Sequence, residues 1–284
     1  MRFNRFLYLS QVGRFNRNKG FMGEINSIIQ SNPYSLDFSS YGKWLDGKLI
    51  RIFAPEKSFS PLAEKVHDSF RSHVSNNGFP CIGAKAAING NCYRFGFYSE
   101  MNTPAANSGL AHDLWAYARE QSEFATNYAT FVVSFASPIV SDEKKWEDLL
   151  WAQLRSLHEL DRIHNGWDPS VGSNPDEPDF SFSFAETGFF VVGLHPASSR
   201  LSRRFPWATL VFNVQAQFER LREQNLFERM QKTIRARDLQ LQGSLNPNLS
   251  NFGEKSDARQ YSGRAVNEDW KCPFHVQAQN RDEE

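Results

Sequence analysis

One histidine and three arginines lie close together in the segment 179–213 and could hold a cofactor. His195 ends an apolar, phenylalanine-rich run, and Arg200, Arg203 and Arg204 follow it. An imidazole is a common axial ligand of heme iron, and guanidinium groups pair with carboxylates through two parallel hydrogen bonds. The pattern therefore suits a flat apolar molecule that carries carboxylates, such as heme. It suits an ordinary strand followed by a basic loop equally well.

A stripe of phenylalanines precedes this histidine. Phe180, Phe182 and Phe184 alternate with serine or an acid, so their rings point to one face of a predicted strand. Such rings could line a flat cofactor, although packing in the core is the usual role of an aromatic stripe.

Three cysteines occur without a CxxC pair. Their number and spacing disfavour a disulfide framework, a structural zinc site and covalent heme attachment, and they favour a reducing cytoplasm. Cys272, in the string WKCPF, is a second possible iron ligand, because a thiolate promotes cleavage of an oxygen–oxygen bond. A Cys-Pro pair such as that at Cys272 is also typical of a buried turn. Cys81, in the string FPC, has the same two interpretations, a reactive thiol or a buried turn.

His158, Asp161 and His164 form an HxxDxxH pattern at the end of a predicted helix. A rotation of about 100° per residue turns the third side chain roughly 240° away from the first. One helix face cannot present all three to a metal, so a solvated helix end is the favoured interpretation.

Two stretches near the carboxyl end, 243–253 and 256–264, are rich in amide, hydroxyl and guanidinium groups. Such side chains could form polar contacts with a ligand. They could equally form a hydrogen-bonded loop that covers a sheet edge.

Absent motifs and the charge balance exclude several function classes. The sequence contains no Walker loop, no GxGxxG, no HExxH and no GxSxG. The 32 basic residues equal the 32 acidic ones, which argues against a dedicated nucleic-acid-binding protein. No apolar run approaches the roughly 18 residues that a membrane span requires. We therefore expect a cytoplasmic protein that binds neither nucleic acid nor a membrane.

The order of helices and strands predicts an α+β fold. Helices are expected from Pro61, around 110–120, after an N-cap at Ser141 and over 215–238. Strands are expected within 44–53 and near 95–98, 128–135, 180–184, 189–194 and 209–213. Because these do not alternate as βαβ units, we predict one domain with a mixed sheet flanked by helices and a long irregular carboxyl-terminal segment. Residues 1–40 are predicted to be a weakly structured extension, 41–275 the domain and 276–284 a polar tail.

Several strings resemble the YqcI/YcgG family, and together they are specific. The resemblance covers roughly 41–274 and is carried by FPCIGAKAA, FSFSF, GLHPASSR, RRF, IRARD, GSLNP, ARQYSGR and WKCPF. Several members of this family are heme-dependent monooxygenases that hydroxylate a guanidine nitrogen. One branch acts on free arginine in cycloserine-type biosynthesis, and another acts on a cyclic guanidine in guanitoxin biosynthesis.

The resemblance implies a heme b enzyme that uses O2, an electron donor and a small guanidine substrate, arginine or a molecule derived from it. It implies His195 as the iron ligand, with Cys272 as the alternative. The resemblance also implies that the heme propionates are held by Arg200, Arg203 and Arg204. It implies that the porphyrin is lined by Phe182, Phe184 and Phe190. Gln260 and Tyr261 would supply hydrogen bonds on the substrate side, as would Asn246.

A guanidinium substrate also needs an acid partner, because a buried cation must be paired. Glu186 and Asp238 are the candidates for that carboxylate. Two other functions share these features. The first is a heme-binding or stress-related protein without catalysis, and the second is a cofactor-free protein whose basic loop binds an anionic small molecule.

Overall fold

The computed structural model describes residues 31–250 and 253–276. Within them are seven α-helices: α1 (Pro61–Ser75), α2 (Ile82–Asn89), α3 (Pro104–Glu120), α4 (Glu143–Asp161), α5 (Gln215–Glu223), α6 (Phe227–Gln242) and α7 (Ala258–Tyr261). There are seven strands: β1 (Gly42–Leu45), β2 (Lys48–Arg51), β3 (Tyr93–Glu100), β4 (Thr130–Ser137), β5 (Phe182–Phe184), β6 (Thr187–Leu194) and β7 (Thr209–Val214).

All seven strands join one sheet in the order β2-β1-β3-β4-β7-β6-β5. Strands β3 and β4 are parallel, with α3 as the crossover between them, and the other neighbours are antiparallel. In the centre of the sheet, Phe212 of β7 pairs with Phe131 on one side and with Val191 on the other. The predicted α+β fold with a mixed sheet is confirmed.

The two faces of the sheet pack against different helices. On β4, Phe131 and Val133 belong to the core shared with α3 and α4, whereas Val132 belongs to the core shared with α1 and α2. This follows from the period of two along a strand. We call the α3/α4 side the first face and the α1/α2 side the second face. Strand β6 divides in the same way, because Phe189 lies on the first face and Phe190 on the second.

Helix starts follow the capping chemistry, with one shift. Ser60 accepts a hydrogen bond from the backbone N–H of Ala63 and precedes Pro61, as predicted. Helix α4 was predicted to begin at Ser141. The structure places the N-cap one residue later, because the Asp142 carboxylate accepts a hydrogen bond from the N–H of Lys145 at 2.8 Å.

The single helix predicted over 215–238 is two helices. The break lies at Asn225, whose φ of 56° is left-handed and cannot continue a right-handed helix. The apolar pattern continues on both sides of this residue, with Leu221 in α5 and Phe227 and Met230 in α6, so the periodicity gives no sign of the break.

Part of the predicted amino-terminal extension packs on the domain. Residues 1–30 and 277–284, which include most of that extension and of the polar tail, lie outside the described residues. The Tyr34 hydroxyl donates to Asp161 at 3.0 Å. The Ser39 hydroxyl and the Ser40 N–H donate to buried Asp113 at 2.5 and 2.6 Å. The segment 34–40 is therefore joined to the domain through two buried carboxylates.

Within the part of the chain that the structure describes, no helix combines the length and the apolar character needed to cross a membrane.

Candidate functional site

A cavity of about 350 Å³ lies on the second face of the sheet. Its floor is formed by neighbouring strands, which contribute Thr130, Phe190, Val192, Val211 and Asn213. The residues on this floor come from alternate positions of β4, β6 and β7, so their side chains all point to the same side. The volume is within the range of small-molecule and cofactor sites.

Helices α5 and α6 form the roof of this cavity. The side chains that face it are mainly apolar and include Phe218, Leu221, Phe227, Met230 and Ile234. The residues from α6 recur three or four positions apart, which places them on one face of that helix. A wide apolar roof over an apolar floor suits a flat, largely hydrophobic ligand.

Cys81 borders the cavity at the start of α2. Its Sγ accepts a hydrogen bond from the backbone N–H of Ala84 at 3.4 Å. A helix N-terminus favours a thiolate, because its N–H groups carry partial positive charge. Burial raises the pKa of the Cys81 thiol, and the N–H groups of Gly83 and Ala84 and the charge of Arg203 oppose that rise. The sulfur borders the cavity, and binding of a soft metal there would require loss of the thiol proton.

Arg203 also borders the cavity and is half-buried. Its Nη1 donates to the backbone carbonyls of Gly193 and Tyr261 at 3.3 and 3.1 Å. Burial lowers the pKa of Arg203 to about 10, and the charge of Asp238 opposes the fall. Among the described residues no carboxylate lies within ion-pair distance of Arg203. An anionic group of a bound molecule would complete its pairing.

The other two arginines of this cluster do not face the cavity. Arg200 is buried in an ion pair with Asp238, and its Nη2 also donates to the carbonyl of Ser244 at 2.9 Å. Arg204 is exposed and donates to the carbonyl of Ser198 at 2.8 Å. Of the three arginines predicted to hold propionates, the structure places Arg203 alone at the cavity wall.

His195 is fully buried beside Trp146, with ring centroids 5.2 Å apart. It does not border the cavity, and neither of its ring nitrogens has a hydrogen-bond partner among the described residues. Burial lowers the pKa of His195 to about 4, so the ring is neutral near pH 7. Because His195 does not border the cavity, the geometry does not support its predicted role as the ligand of an iron held there.

The alternative ligand, Cys272, is also remote from the cavity. It is buried within the core of the first face, among rings that include Trp151 and Phe274. Burial raises the pKa of the Cys272 thiol to about 12, so this sulfur stays protonated. Cys81 is the one cysteine that the structure places at the cavity wall within residues 31–250 and 253–276.

The predicted porphyrin wall is separated by the sheet. Phe190 lies on the cavity floor. Phe182 and Phe184 are fully buried in the first-face core, where Phe182 packs against Phe212 and Phe274. The alternation FSFSF correctly predicts that these rings share one face. The sequence does not indicate which face holds the cavity. The cavity lies on the second face, whereas the rings of Phe182 and Phe184 lie on the first.

Two of the four predicted catalytic side chains border the cavity, Asp238 and Gln260. Tyr261 is fully buried, and its hydroxyl donates to the carbonyl of Phe189 at 2.9 Å. Glu186 lies in the turn between β5 and β6, with a side chain that is 57% exposed and 3.9 Å from Arg119. This position does not support a role for Glu186 in binding a substrate within the cavity.

The HxxDxxH pattern does not form a metal site in the structure. The Asp161 carboxylate instead accepts hydrogen bonds from the N–H of Ala185, and so holds the β5–β6 turn. Over the described ranges, no group of three His, Cys, Asp or Glu side chains could hold a metal ion. The favoured interpretation of a solvated helix end is wrong for His158 and Asp161, which are buried, whereas His164 is exposed.

A second hollow, of about 690 Å³, lies beside the N-terminus of α3. Its walls include polar and charged side chains such as Ser39, Arg51, Lys57 and Tyr98. Although it is the larger of the two, it contains none of the residues that the sequence singled out. The apolar cavity is therefore the better candidate site, because it joins a thiol, an unpaired guanidinium and aromatic walls.

Sequence reasoning did not single out Cys81 as a cavity residue. The available signal was the string FPCIGA, in which a cysteine precedes small residues at the start of a helix. Gly83 is close enough to Tyr128 that an added Cβ would lie 3.3 Å from its ring. Small side chains keep the space around the sulfur open.

Comparisons with known proteins agree with this assembly of motifs. The profile of the YqcI/YcgG family matches residues 70–275. The chain is 32% identical over 227 residues to the uncharacterized protein YqcI of Bacillus subtilis (strain 168), covering 76% of this chain and 86% of that protein. No solved structure matches the chain. The matched region contains α2, the cavity floor and both roof helices, so the chain belongs to the YqcI/YcgG family.

Proposed function

We propose that this chain is a heme b-dependent monooxygenase that hydroxylates a guanidine nitrogen of arginine or of an arginine-derived small molecule. The observation that carries the proposal is the position of Cys81, whose sulfur lies at a helix N-terminus on the wall of an apolar cavity. The resemblance to a family in which several members are heme-dependent guanidine N-hydroxylases supports the choice of chemistry.

The residues at the cavity fit a heme in three respects. Cys81, in place of His195, would hold the iron through its sulfur after loss of the thiol proton. Arg203 offers a positive charge to a propionate through a charge-assisted hydrogen bond. Phe190 and the apolar roof offer contact to the faces of the macrocycle. Bound heme supplies the activation of O2, with two electrons and two protons from outside, so that one oxygen atom enters the N–H bond and the other leaves as water.

The chain's own contribution to such a reaction is to bind, orient and exclude water. With Cys81 as its ligand, a bound heme would be suited to oxygen–oxygen cleavage. Asp238 is the one carboxylate among the described residues that border the cavity. Its Oδ2 pairs with Arg200, whereas its Oδ1 has a longer contact, 3.4 Å, with the Ser202 hydroxyl. Oδ1 is therefore the candidate acceptor for a guanidinium N–H.

A hemin titration followed by product analysis tests the proposal. Hemin added to the purified chain should give a saturating Soret band at one equivalent. With L-arginine, O2 and a chemical reductant, mass spectrometry should then show arginine with one added oxygen atom. Saturable hemin binding without any oxygenated product, for arginine and for simple guanidines, would favour a heme-binding protein without catalysis. A chain that binds no hemin would contradict the proposal.

A cofactor-free binding protein is the second candidate, and the unpaired Arg203 favours it. A guanidinium without a carboxylate partner would accept any apolar anion of suitable size. Under this alternative the chain stays colourless after hemin is added, yet an apolar anion binds in the cavity and Arg203→Met weakens that binding.

A further inference from the structure

Helix α6 covers the cavity with very little packing of its own. It has 16 residues, and the one buried residue among them is charged, Asp238. Phe227, Met230 and Ile234 face the cavity and are half-buried. A helix with so few buried side chains has low local stability, because packing supplies most of the stability of helices in proteins.

The carboxyl-terminal end of α6 is fastened to the 3₁₀ turn at Leu201–Arg203. Asp238 forms a buried ion pair with Arg200, in which the two side chains are 10% and 8% exposed. One turn further along, the Gln242 side chain accepts from the N–H of Leu201 at 2.8 Å and donates to the carbonyl of Ser199 at 3.1 Å. These polar contacts form a compact fastening, which we call the latch (Asp238 and Gln242 of α6 with Arg200).

Both ends of α6 have backbone that can act as a pivot. Asn225, between α5 and α6, has a φ of 56°, and Gly243, which ends α6, has a φ of 76°. Residues at the ends of helices and strands commonly absorb the dihedral changes of a moving segment. The amino-terminal end of α6 has no side-chain cap, and the contacts of Phe227 with Phe218 and Arg222 are side-chain packing contacts.

We propose that α6 is a lid that turns about Asn225. We propose further that the latch, with the Arg200–Asp238 pair as its main contact, sets how fast a ligand enters and leaves the cavity. Opening the lid separates two buried charges, which makes the open state rare. A bound apolar ligand adds contacts with Phe227, Met230 and Ile234, so ligand binding stabilises the closed lid. The proposal applies to any apolar occupant, and it does not depend on that occupant being heme.

Hydrogen exchange on the full chain without ligand tests the latch. In Asp238→Asn, we expect amide exchange within 227–242 to become about tenfold faster or more, because the remaining Arg200 charge loses its partner. Gln242→Ala should give a smaller increase in the same segment. Since Gln242 lies near the surface, that variant remains informative if Asp238→Asn does not fold.

The matched control is Glu147→Gln. Glu147 lies in α4, on the opposite face of the sheet. Its side chain is 3% exposed and forms an ion pair with Arg264. The Glu147→Gln variant should destabilise the whole chain. Amide exchange within 227–242 should then increase no more than exchange in the rest of the chain.

A kinetic measurement completes the test. The fluorescent apolar anion 1-anilinonaphthalene-8-sulfonate, mixed rapidly with the chain, should bind and dissociate faster in both latch variants than in the wild type and in Glu147→Gln. Unchanged α6 exchange and unchanged dye kinetics in the latch variants would overturn the proposal, as would an equal acceleration in the control. Neither readout uses heme, so failure of the heme proposal and failure of the lid proposal are distinguishable.

Discussion

Cys81 and Arg203 border the same cavity, and the positive charge of Arg203 lowers the pKa of the Cys81 thiol against the larger, opposite effect of burial. The sulfur comes from the start of α2, and the guanidinium comes from the 3₁₀ turn after β6, more than a hundred residues later in the chain. The fold therefore brings a soft ligand and an anion-binding group to one apolar space.

Replacing Arg203 should weaken binding of an apolar anion. Arg203→Met keeps an unbranched apolar stem and removes the guanidinium charge. A hydrogen bond to a charged group contributes about 1.5–3 kcal/mol, so we expect the Kd for hemin to rise roughly tenfold or more. Fluorescence quenching by added hemin measures this Kd.

The control for that variant is Arg204→Met, because Arg204 is exposed and lies outside the cavity wall. The Kd of Arg204→Met for hemin should equal that of the wild type. If both variants bind hemin as tightly as the wild type, Arg203 is not the anion-binding group.

His195 should be dispensable for the proposed heme site. His195→Phe keeps an aromatic ring beside Trp146 and removes both nitrogens. Because His195 does not border the cavity, the absorption spectrum of the hemin-loaded variant should equal that of the wild type. Loss of the Soret band, or a change of its position, would restore His195 as the ligand and contradict the assignment to Cys81.

The same variant should change how stability depends on pH. The pKa of His195 is lowered to about 4 in the folded chain, from an ordinary value of about 6.5. Between these values the unfolded chain binds one more proton, so the contribution of His195 to stability is complete above pH 6.5 and is lost as the pH falls toward 4. His195→Phe should reduce this loss by up to about 1.4 kcal/mol per pH unit.

Urea denaturation at several pH values between 4 and 7 measures the difference between wild type and variant. His67 also has a pKa lowered to about 4, mainly by burial, and its effect cancels in that difference. An identical slope for the two proteins would show that the His195 ring is solvated or already paired.

Gly109 should be intolerant of a side chain. A Cβ added at this position in α3 would lie 2.1 Å from the backbone carbonyl oxygen of Phe38, which cannot move without displacing the segment 34–40. We expect Gly109→Ala to lower the free energy of unfolding by about 1–3 kcal/mol, as overpacking usually does. Gly166→Ala, where an added Cβ meets no atom within 4 Å, is the control. Equal stability of the two variants would show that residues near Phe38 are not docked as described.

Local patterns in the sequence predicted most of the elements, because caps and periodicity act over a few residues. Ser60 with Pro61, and the apolar run that becomes β4, are examples. The break at Asn225 was not predicted, because one left-handed residue interrupts a helix without changing the apolar spacing around it. Local patterns also did not reveal that residues near Tyr34 dock on a carboxylate more than a hundred positions away.

The site was only partly predictable, for a reason that lies in the sheet. Alternation showed that Phe182 and Phe190 belong to strands, but which face carries a cavity depends on where α5 and α6 cross it. His195 lies at the end of its strand as expected, and the neighbouring Trp146 comes from a helix about fifty residues earlier. Arg203, Asp238 and Gln260, which the sequence singled out, all border the cavity.

The ferrous carbonyl spectrum of the heme-loaded chain tests the central assignment most directly. Wild type, Cys81→Ser and Cys272→Ser are each loaded with hemin, reduced with dithionite and exposed to carbon monoxide. The account predicts the strongly red-shifted Soret band of a thiolate complex in the wild type and in Cys272→Ser, and its loss in Cys81→Ser. A red-shifted band that persists in Cys81→Ser, or its absence from the wild type, would contradict the assignment of Cys81 as the iron ligand.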